Sequence, residues 1–541
     1  MLVRKYGIYL AYGPRVDLRA EGLGRHLAEF LKASTHFEDV KFVVAAPRWL
    51  RSPLKELLEN FDLDVESFEV VSPKSASLLG SLYWLLTTIS GRQKGLKKLR
   101  RRGRLRRMKN FLLRRAKSSF LTVAKSRNPL TLVAAVILAI LVFPGAAVLG
   151  ILAFIIASLA GAIVKLRLGS YLTRLKRRLN RNGLFTRANH NAYRLMCDAE
   201  ASAVADEANK RHDIKAWYSP AAFWPEFNQI EAPRLMCVPD VVPTQFPVAF
   251  AIEEPNGDRR MQDFKRIEAA IEGGDRFVAY SSDVKNRTLV DSFHIDPSRI
   301  DVIPHGASRL DHLVTISGFN NNEEATDILS AQHLWAALSK AVNNNNASWY
   351  ASKDLGYLFY ASQIRPHKNV VNLLRAYHYL RRTQNLPYKL IMTGEWRGSS
   401  DVVDFMNEHR LHNDVLFVRG LSEKELASCY RLATLAVNPS LSEGGMPFTF
   451  TEALSVGVPV IMADIPVSRE IIKDAKVAER TFFDALDYKN IASAIVEALK
   501  DLDGLYAVQR EFYERQLVGR SWNEVVGDYI SALERSPMEK R

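Results

Sequence analysis

Five short apolar segments in the C-terminal half constrain this chain most. GYLFYAS, YKLIMTG, DVLFVRG, LATLAVN and VPVIMAD each have strand length, and helical stretches separate them, notably 370–382, 423–431 and 450–456. Strands that alternate with helices build a parallel, doubly wound sheet. A weaker alternation comes earlier. Residues 6–11 and 40–46 read as strands around a helix at 23–33, and 214–218, 234–238, 276–281 and 299–303 read as further strands. The expected fold is therefore α/β, with two doubly wound domains. Residues 1–85 with 185–310 form the first domain and 356–505 the second, followed by a helical region at 506–541. Between them, 311–355 reads as a linker or insertion with a short helix near 331–342. Its asparagine runs at 320–322 and 343–346 are turn-rich.

An insert at 86–184 interrupts the first domain. Residues 128–164 carry no charge, and their core reads LTLVAAVILAILVFPGAAVLGILAFIIASLAGAIV. More than 18 successive apolar residues is the length expected of a membrane-crossing helix. A single helix over 130–164 would run to about 52 Å, too long for one comfortable crossing of a core about 30 Å thick. Pro144-Gly145 supplies a bend between pieces of 14 and 19 residues. Sixteen basic residues at 92–127 and seven at 165–181 flank the run, and the positive-inside rule places both flanks on the cytoplasmic side. A helical hairpin or re-entrant segment is expected there, with its basic arms on anionic phospholipid.

Charge segregates to match. The net charge is +15, yet 70–197 holds 26 Lys or Arg and no Asp or Glu, while the rest of the chain holds 48 basic and 59 acidic residues. The basic arms adjoin an apolar run and lack interleaved aromatics, which favours a membrane over nucleic acid as their partner. Cys197, Cys237 and Cys429 lie far apart, so neither a disulfide framework nor a thiolate metal site is expected. The N-terminus lacks the basic region and apolar run of a secretory signal, so the body is expected at the cytoplasmic side of the cell membrane.

Ligands of doubly wound sheets bind beyond the carboxyl ends of the strands, and the candidate residues sit there. After GYLFYAS come Arg365 and Lys368, a planar fork and a mobile point charge suited to a diphosphate. YKLIMTG ends in Gly394 and is followed by a rim at 395–398. The densest signal is PSLSEGGMPFTFTEA, where Gly444-Gly445 permits close backbone approach, the following helix aims free N–H groups, and Glu443 and Glu452 offer acceptors for paired sugar hydroxyls. In the first domain, GPRVDLRAEGLGR places Gly22 and Gly24 between a strand and a helix.

With these residues in view, 356–472 resembles the donor domain of the family 4 glycosyltransferases, retaining enzymes of the two-Rossmann-domain, GT-B type. The stretch PSLSEGGMPFTFTEALSVGVPVIMADIPVSREII carries the likeness, joined by IRPHKN and LSEKELASCYRLATLAVNPS, and more weakly by EGLGR, PDVVP and VIPHG. The resemblance implies that the two domains are Rossmann-like and face a cleft, and it implies transfer of a sugar from a UDP- or GDP-sugar, with no further cofactor and no metal. It implies that Glu443 meets the donor sugar, Glu452 the ribose and Lys368 with an Arg the diphosphate. The loop at Gly22 and Gly24 would face the donor phosphates and the acceptor, and a helix near 522–533 would cross back to brace the first domain. Three positions depart from the family pattern. Eight residues, not seven, separate Glu443 from Glu452. Gln363 stands where the phosphate-binding Arg is usual, which brings Arg365 forward as its substitute. Pro239-Asp240 stands where His-Asp is usual. The expected activity is sugar transfer to a lipid-linked or membrane-associated glycan, the alternative being an inactive transferase-like membrane scaffold or glycan-binding protein.

Overall fold

The computed structural model describes residues 3–14, 16, 18, 22–61, 63, 68–74, 184–248, 257–341 and 356–535. The expected hairpin at 130–164, its basic arms and the asparagine run at 343–346 lie outside these residues. Among the described residues no helix is long and apolar enough to cross a membrane.

The N-terminal part runs β1 (Arg4–Tyr9), α1 (Gly22–Ser34), β2 (Val40–Ala45), α2 (Arg51–Asn60), β3 (Glu69–Val71), α3 (Leu184–Asn209), β4 (Trp217–Ser219), β5 (Arg234–Val238), α4 (Gly257–Glu272), β6 (Arg276–Ala279) and β7 (Ile300–Val302). Then come α5 (Asn322–Leu338), β8 (Tyr357–Tyr360), α6 (Val370–Thr383), β9 (Lys389–Thr393), α7 (Ser400–Glu408), β10 (Val415–Val418), α8 (Glu423–Arg431), β11 (Leu435–Asn438), α9 (Phe448–Ser455), β12 (Val460–Ala463), α10 (Pro466–Ile471), β13 (Phe482–Phe483), α11 (Tyr488–Lys500), α12 (Leu502–Phe512) and α13 (Trp522–Arg535). The fold is α/β, with its strands in two parallel sheets.

The chain divides into two compact units. Residues 1–18, 39–219 and 224–233 make the first, and 19–38, 220–223 and 234–541 the second. In the first, the strand order is β3-β2-β1-β4. β1 pairs with β2 in parallel from Arg4 opposite Val40 to Tyr9 opposite Ala45. In the second, β5, β6 and β7 pair in sequence, and six strands form a sheet of order β10-β9-β8-β11-β12-β13.

Alternation along these six strands explains why the sheet is covered on both faces. Tyr357, Phe359, Ile391, Leu416 and Val418 enter one core with residues of α5, α8 and α9. Their neighbours Leu358, Tyr360, Leu390, Met392, Val415 and Phe417 enter the other with residues of α6, α7 and α11. Strands buried on both faces read as continuous apolar runs, which is how these segments read in the sequence. Gln509 of α12 extends the hydrogen bonding at β12. Its side chain accepts from Val460 N–H at 3.1 Å and donates to Val460 C=O at 2.6 Å and Thr481 at 2.9 Å.

One helix differs from its expected extent. α5 starts at Asn322 rather than near 331, and its Leu334, Ala337 and Leu338 are core residues. The asparagine run is a cap rather than a loose turn: Asn321 Oδ1 accepts from Glu324 N–H, and Glu323 and Glu324 complement the positive end of the helix.

α13 packs on α1 and β5. Between α1 and α13 lies His26, 3% exposed, with ring centroids at 5.0 Å from Trp522, 5.4 Å from Tyr280 and 6.4 Å from Tyr529. Neither ring nitrogen has a hydrogen-bond partner among the described residues. Burial, aided by the charge of His305, pushes the imidazole down to about 3. The unfolded chain binds a proton here as pH falls below about 6.5, whereas the folded chain does not until far lower. Stability should therefore fall as pH drops from 6.5 toward 3. In urea unfolding across that range, His26→Phe should flatten the decline relative to wild type; parallel curves would show that His26 takes up its proton equally in both states.

Candidate active site

Two loops at the carboxyl ends of adjacent strands build the site, both within the second unit. After β8, Pro366–Lys368 makes one 3-10 turn, closed by Asn369 in the left-handed conformation at φ 55°. After β11, Asn438 Oδ1 accepts from Ser440 N–H and Ser440 Oγ donates to Ser442 C=O, which folds the loop back on itself. Leu441 N–H donates to His367 C=O at 2.8 Å and ties the two loops together. The result brings Lys368 Nζ to 2.6 Å from Glu443 Oε1, with both side chains mostly buried.

The surroundings of this pair are strongly polarised. Asp240, just past β5, feels Lys368, Glu443 and Arg365; burial raises its carboxyl above the usual range, helped by Glu443 and opposed by the two cations. His367 is buried and pushed down to about 2 by that burial and by Lys368, Arg365 and Arg260. It is therefore neutral, and three cations converge on its surroundings. Arg260, on α4, has its own guanidinium shifted down by burial and by Arg365. Arg365 donates to Gln363 Oε1 at 2.5 Å, so the residue in the usual arginine position holds the side chain expected to replace it.

The glycine pair is constrained by the protein's own chain. A Cβ at Gly444 would lie 1.9 Å from the Pro239 carbonyl oxygen, and one at Gly445 would lie 2.9 Å from His305 Nε2 and 3.0 Å from Tyr280 Cβ. Ser281 Oγ donates to Gly444 C=O at 2.9 Å. The His305 ring meets Phe448 at 4.5 Å. Burial holds His305 below the ordinary histidine range, against hydrogen bonds to the Gly306 and Met446 backbone and the charge of Glu443. On the far side of the loop, Glu470 of α10 accepts from the N–H groups of Ser282 and Asp283 at 2.8 and 3.1 Å.

Glu452, on α9, has a different set of partners. Its Oε1 accepts from Arg25 Nη1 at 2.6 Å and from Ser308 Oγ at 3.1 Å. Gly22 and Gly24 fall in the first turn of α1, directly before Arg25. Gly394 follows β9 at φ 104°, a conformation that favours glycine.

The structure brings Glu443, Lys368, Asp240 and Arg365, all candidates from the sequence, close to one another, and buries Glu452 among partners of its own. The sequence reading misses Arg25, Arg260, His305 and Ser308. Arg25 and His305 stand inside the quoted segments EGLGR and VIPHG, but only the packing shows which groups they face. Among the described residues no group of three or more His, Cys, Asp or Glu could hold a metal ion.

Residues 343–514 match the family described as Glycosyl transferases group 1. This part of the chain is a glycosyltransferase domain. Over 149 residues the chain is 31% identical to O-antigen chain mannosyltransferase B of Escherichia coli, covering 27% of this chain and 37% of the relative. Over 196 residues it is 26% identical to O-antigen chain mannosyltransferase RfbU of Salmonella typhimurium, covering 36% and 53%. The alignments thus span about half or less of these relatives. The fold is similar to that of Anabaena HepE solved with UDP and glucose, at TM-score 0.52 and 11% identity over 98% of this chain and 100% of that one. It is likewise similar to the N-terminal domain of Candida albicans trehalose-6-phosphate phosphatase, at TM-score 0.51 and 10% identity over 98% and 97%. These likenesses agree with the GT-B expectation at the level of fold.

Backbone cannot yield to a contact of 1.9 Å without moving the loop that carries Glu443. In the glycosyltransferase domain, Gly444→Ala should lower stability by about 1–3 kcal/mol in urea unfolding, the usual cost of forcing a side chain into filled space. Gly519→Ala, at an open position, should unfold as wild type does. Equal stabilities for wild type and Gly444→Ala would show that the Pro239 contact does not constrain the loop.

Proposed function

We propose that this chain is a retaining glycosyltransferase of the family 4 type, moving a hexosyl unit from a UDP- or GDP-sugar to a lipid-linked or membrane-associated glycan at the cytoplasmic face. The observation that carries the reading is the Lys368–Glu443 pair at 2.6 Å, set beside Asp240 where the carboxyl-end loops of β8 and β11 meet in a glycosyltransferase domain. Two relatives named as O-antigen chain mannosyltransferases support polysaccharide assembly and make mannose the first donor sugar to assay.

In this reading the donor diphosphate takes up negative charge as its bond to the anomeric carbon breaks. Lys368 has ammonium protons beyond the one directed at Glu443, and Arg365 lies two residues from Gln363 on the same loop. Together they favour the charged leaving group more than the intact donor, which lowers the barrier. The acceptor hydroxyl bonds to the anomeric carbon as the diphosphate leaves, and its proton passes to the departing phosphate oxygen. Glu443 orients the donor sugar, Asp240 lies beside it, and Glu452 receives the ribose hydroxyls. Gly22, Gly24 and Gly394 give the nucleotide-sugar close access to backbone. The apolar run at 130–164 and its basic flanks support a membrane-associated location on anionic phospholipid, which would hold the site near a lipid-borne acceptor.

A panel of UDP- and GDP-sugars incubated with native membranes, with products weighed by mass spectrometry, tests the proposal. One donor should add a hexose mass to a membrane glycan, and Lys368→Ala and Glu452→Ala should each cut that rate about 100-fold or more. Unchanged rates in both variants would overturn the site assignment. A folded protein that turns over no donor would favour the inactive scaffold or glycan-binding alternative.

A further inference from the structure

The ion pair at Glu452 is the most developed polar contact that the reaction scheme leaves unused. Glu452 is 4% exposed, and a carboxylate so enclosed needs partners. It finds them on two other elements. Arg25, in the first turns of α1, donates from Nη1 at 2.6 Å, and Ser308, past β7, donates from its hydroxyl at 3.1 Å, both to Oε1. Ser308 is itself fixed, since its N–H donates to Thr451 Oγ1 at 3.2 Å. Arg25 is fixed as well, its Nε facing Glu423 Oε1 at 3.9 Å. Burial alone would lower the Arg25 pKa, but Glu452 and Glu423 carry it above the ordinary arginine value, so the guanidinium stays charged.

Both donors converge on one carboxylate oxygen. Such an arrangement selects a single side-chain orientation, with Arg25 and Ser308 both on Oε1 and Tyr430 also beside the carboxylate. We infer that Arg25 is a positioning residue of the donor site, which aims Glu452 at the ribose hydroxyls of the nucleotide. The inference rests on the proposed ribose role of Glu452. It also gives α1 a share in donor recognition that does not depend on its glycines. A planar fork suits this task better than an ammonium, because its donors leave the side chain in fixed directions.

The ratio of affinities for UDP or GDP, whichever the wild type binds, and for its 2′,3′-dideoxy counterpart tests the inference. Titration should show the wild type preferring the ribonucleotide about tenfold or more, the scale of a hydrogen bond to a charged group. Glu452→Gln should bring the ratio within about threefold, and Arg25→Gln should do the same although the Glu452 carboxylate remains. Arg25→Lys, which keeps charge without the fork, should fall between. If Arg25→Gln does not fold, as judged by thermal melting, Arg25→Lys carries the test, and a ratio at least about threefold below wild type supports the inference. A merely structural Arg25 would weaken both nucleotides alike and preserve the ratio, which overturns the inference while the reading of Glu452 stands. A wild-type ratio preserved in Glu452→Gln overturns both.

Discussion

Close backbone approach at Gly444 is the constraint on which the site depends. The Pro239 carbonyl fills the volume that any side chain there would need, and Ser281 holds the same residue by its carbonyl. Gly445 meets His305 and Tyr280 in the same manner. The loop after β11 is thereby pinned by groups that follow β5, β6 and β7. Glu443, one residue before the glycines, inherits its position from that contact, and Lys368 inherits its partner. Such contacts involve rigid backbone and buried rings, so the geometry is set before any ligand arrives.

The electrostatics follow from the same packing. Arg365, Lys368 and Arg260 press on a buried, neutral His367, while Asp240 feels Lys368 and Arg365, and Glu443 pairs with Lys368. A cluster with excess positive charge beside neutral glycines suits a phosphate-bearing ligand. Glu452 is kept apart from this cluster by partners of its own, Arg25 and Ser308. The site therefore holds two separate charged groups, which under the proposed function divide charge neutralisation from hydroxyl recognition.

Much of this was legible in the sequence where local chemistry decides the outcome. The five C-terminal strands lie inside the five apolar segments because each is buried on both faces and bounded by polar turns. Lys368 and Glu443 were legible because they follow strands at the end where ligands bind. β13, two residues long, offers no periodicity to read. The start of α5 was hidden because asparagine signals both turns and helix caps, and only Asn321's bond to Glu324 distinguishes them. Arg25 and His305 could not be assigned from spacing, since their surroundings include side chains more than a hundred residues away. Likewise Gly444 and Gly445 read as room for a ligand, whereas the fold fills that room with Pro239 and His305.

Under the proposed function, Lys368, paired with Glu443, receives a diphosphate. Calorimetric titration of nucleoside diphosphate against the matching monophosphate, in wild type and in Lys368→Ala, tests that role most directly. Wild type should prefer the diphosphate by about tenfold or more, as a charge-assisted hydrogen bond would give, and the preference should collapse in the variant. A preference that survives the loss of Lys368 undiminished would contradict that role.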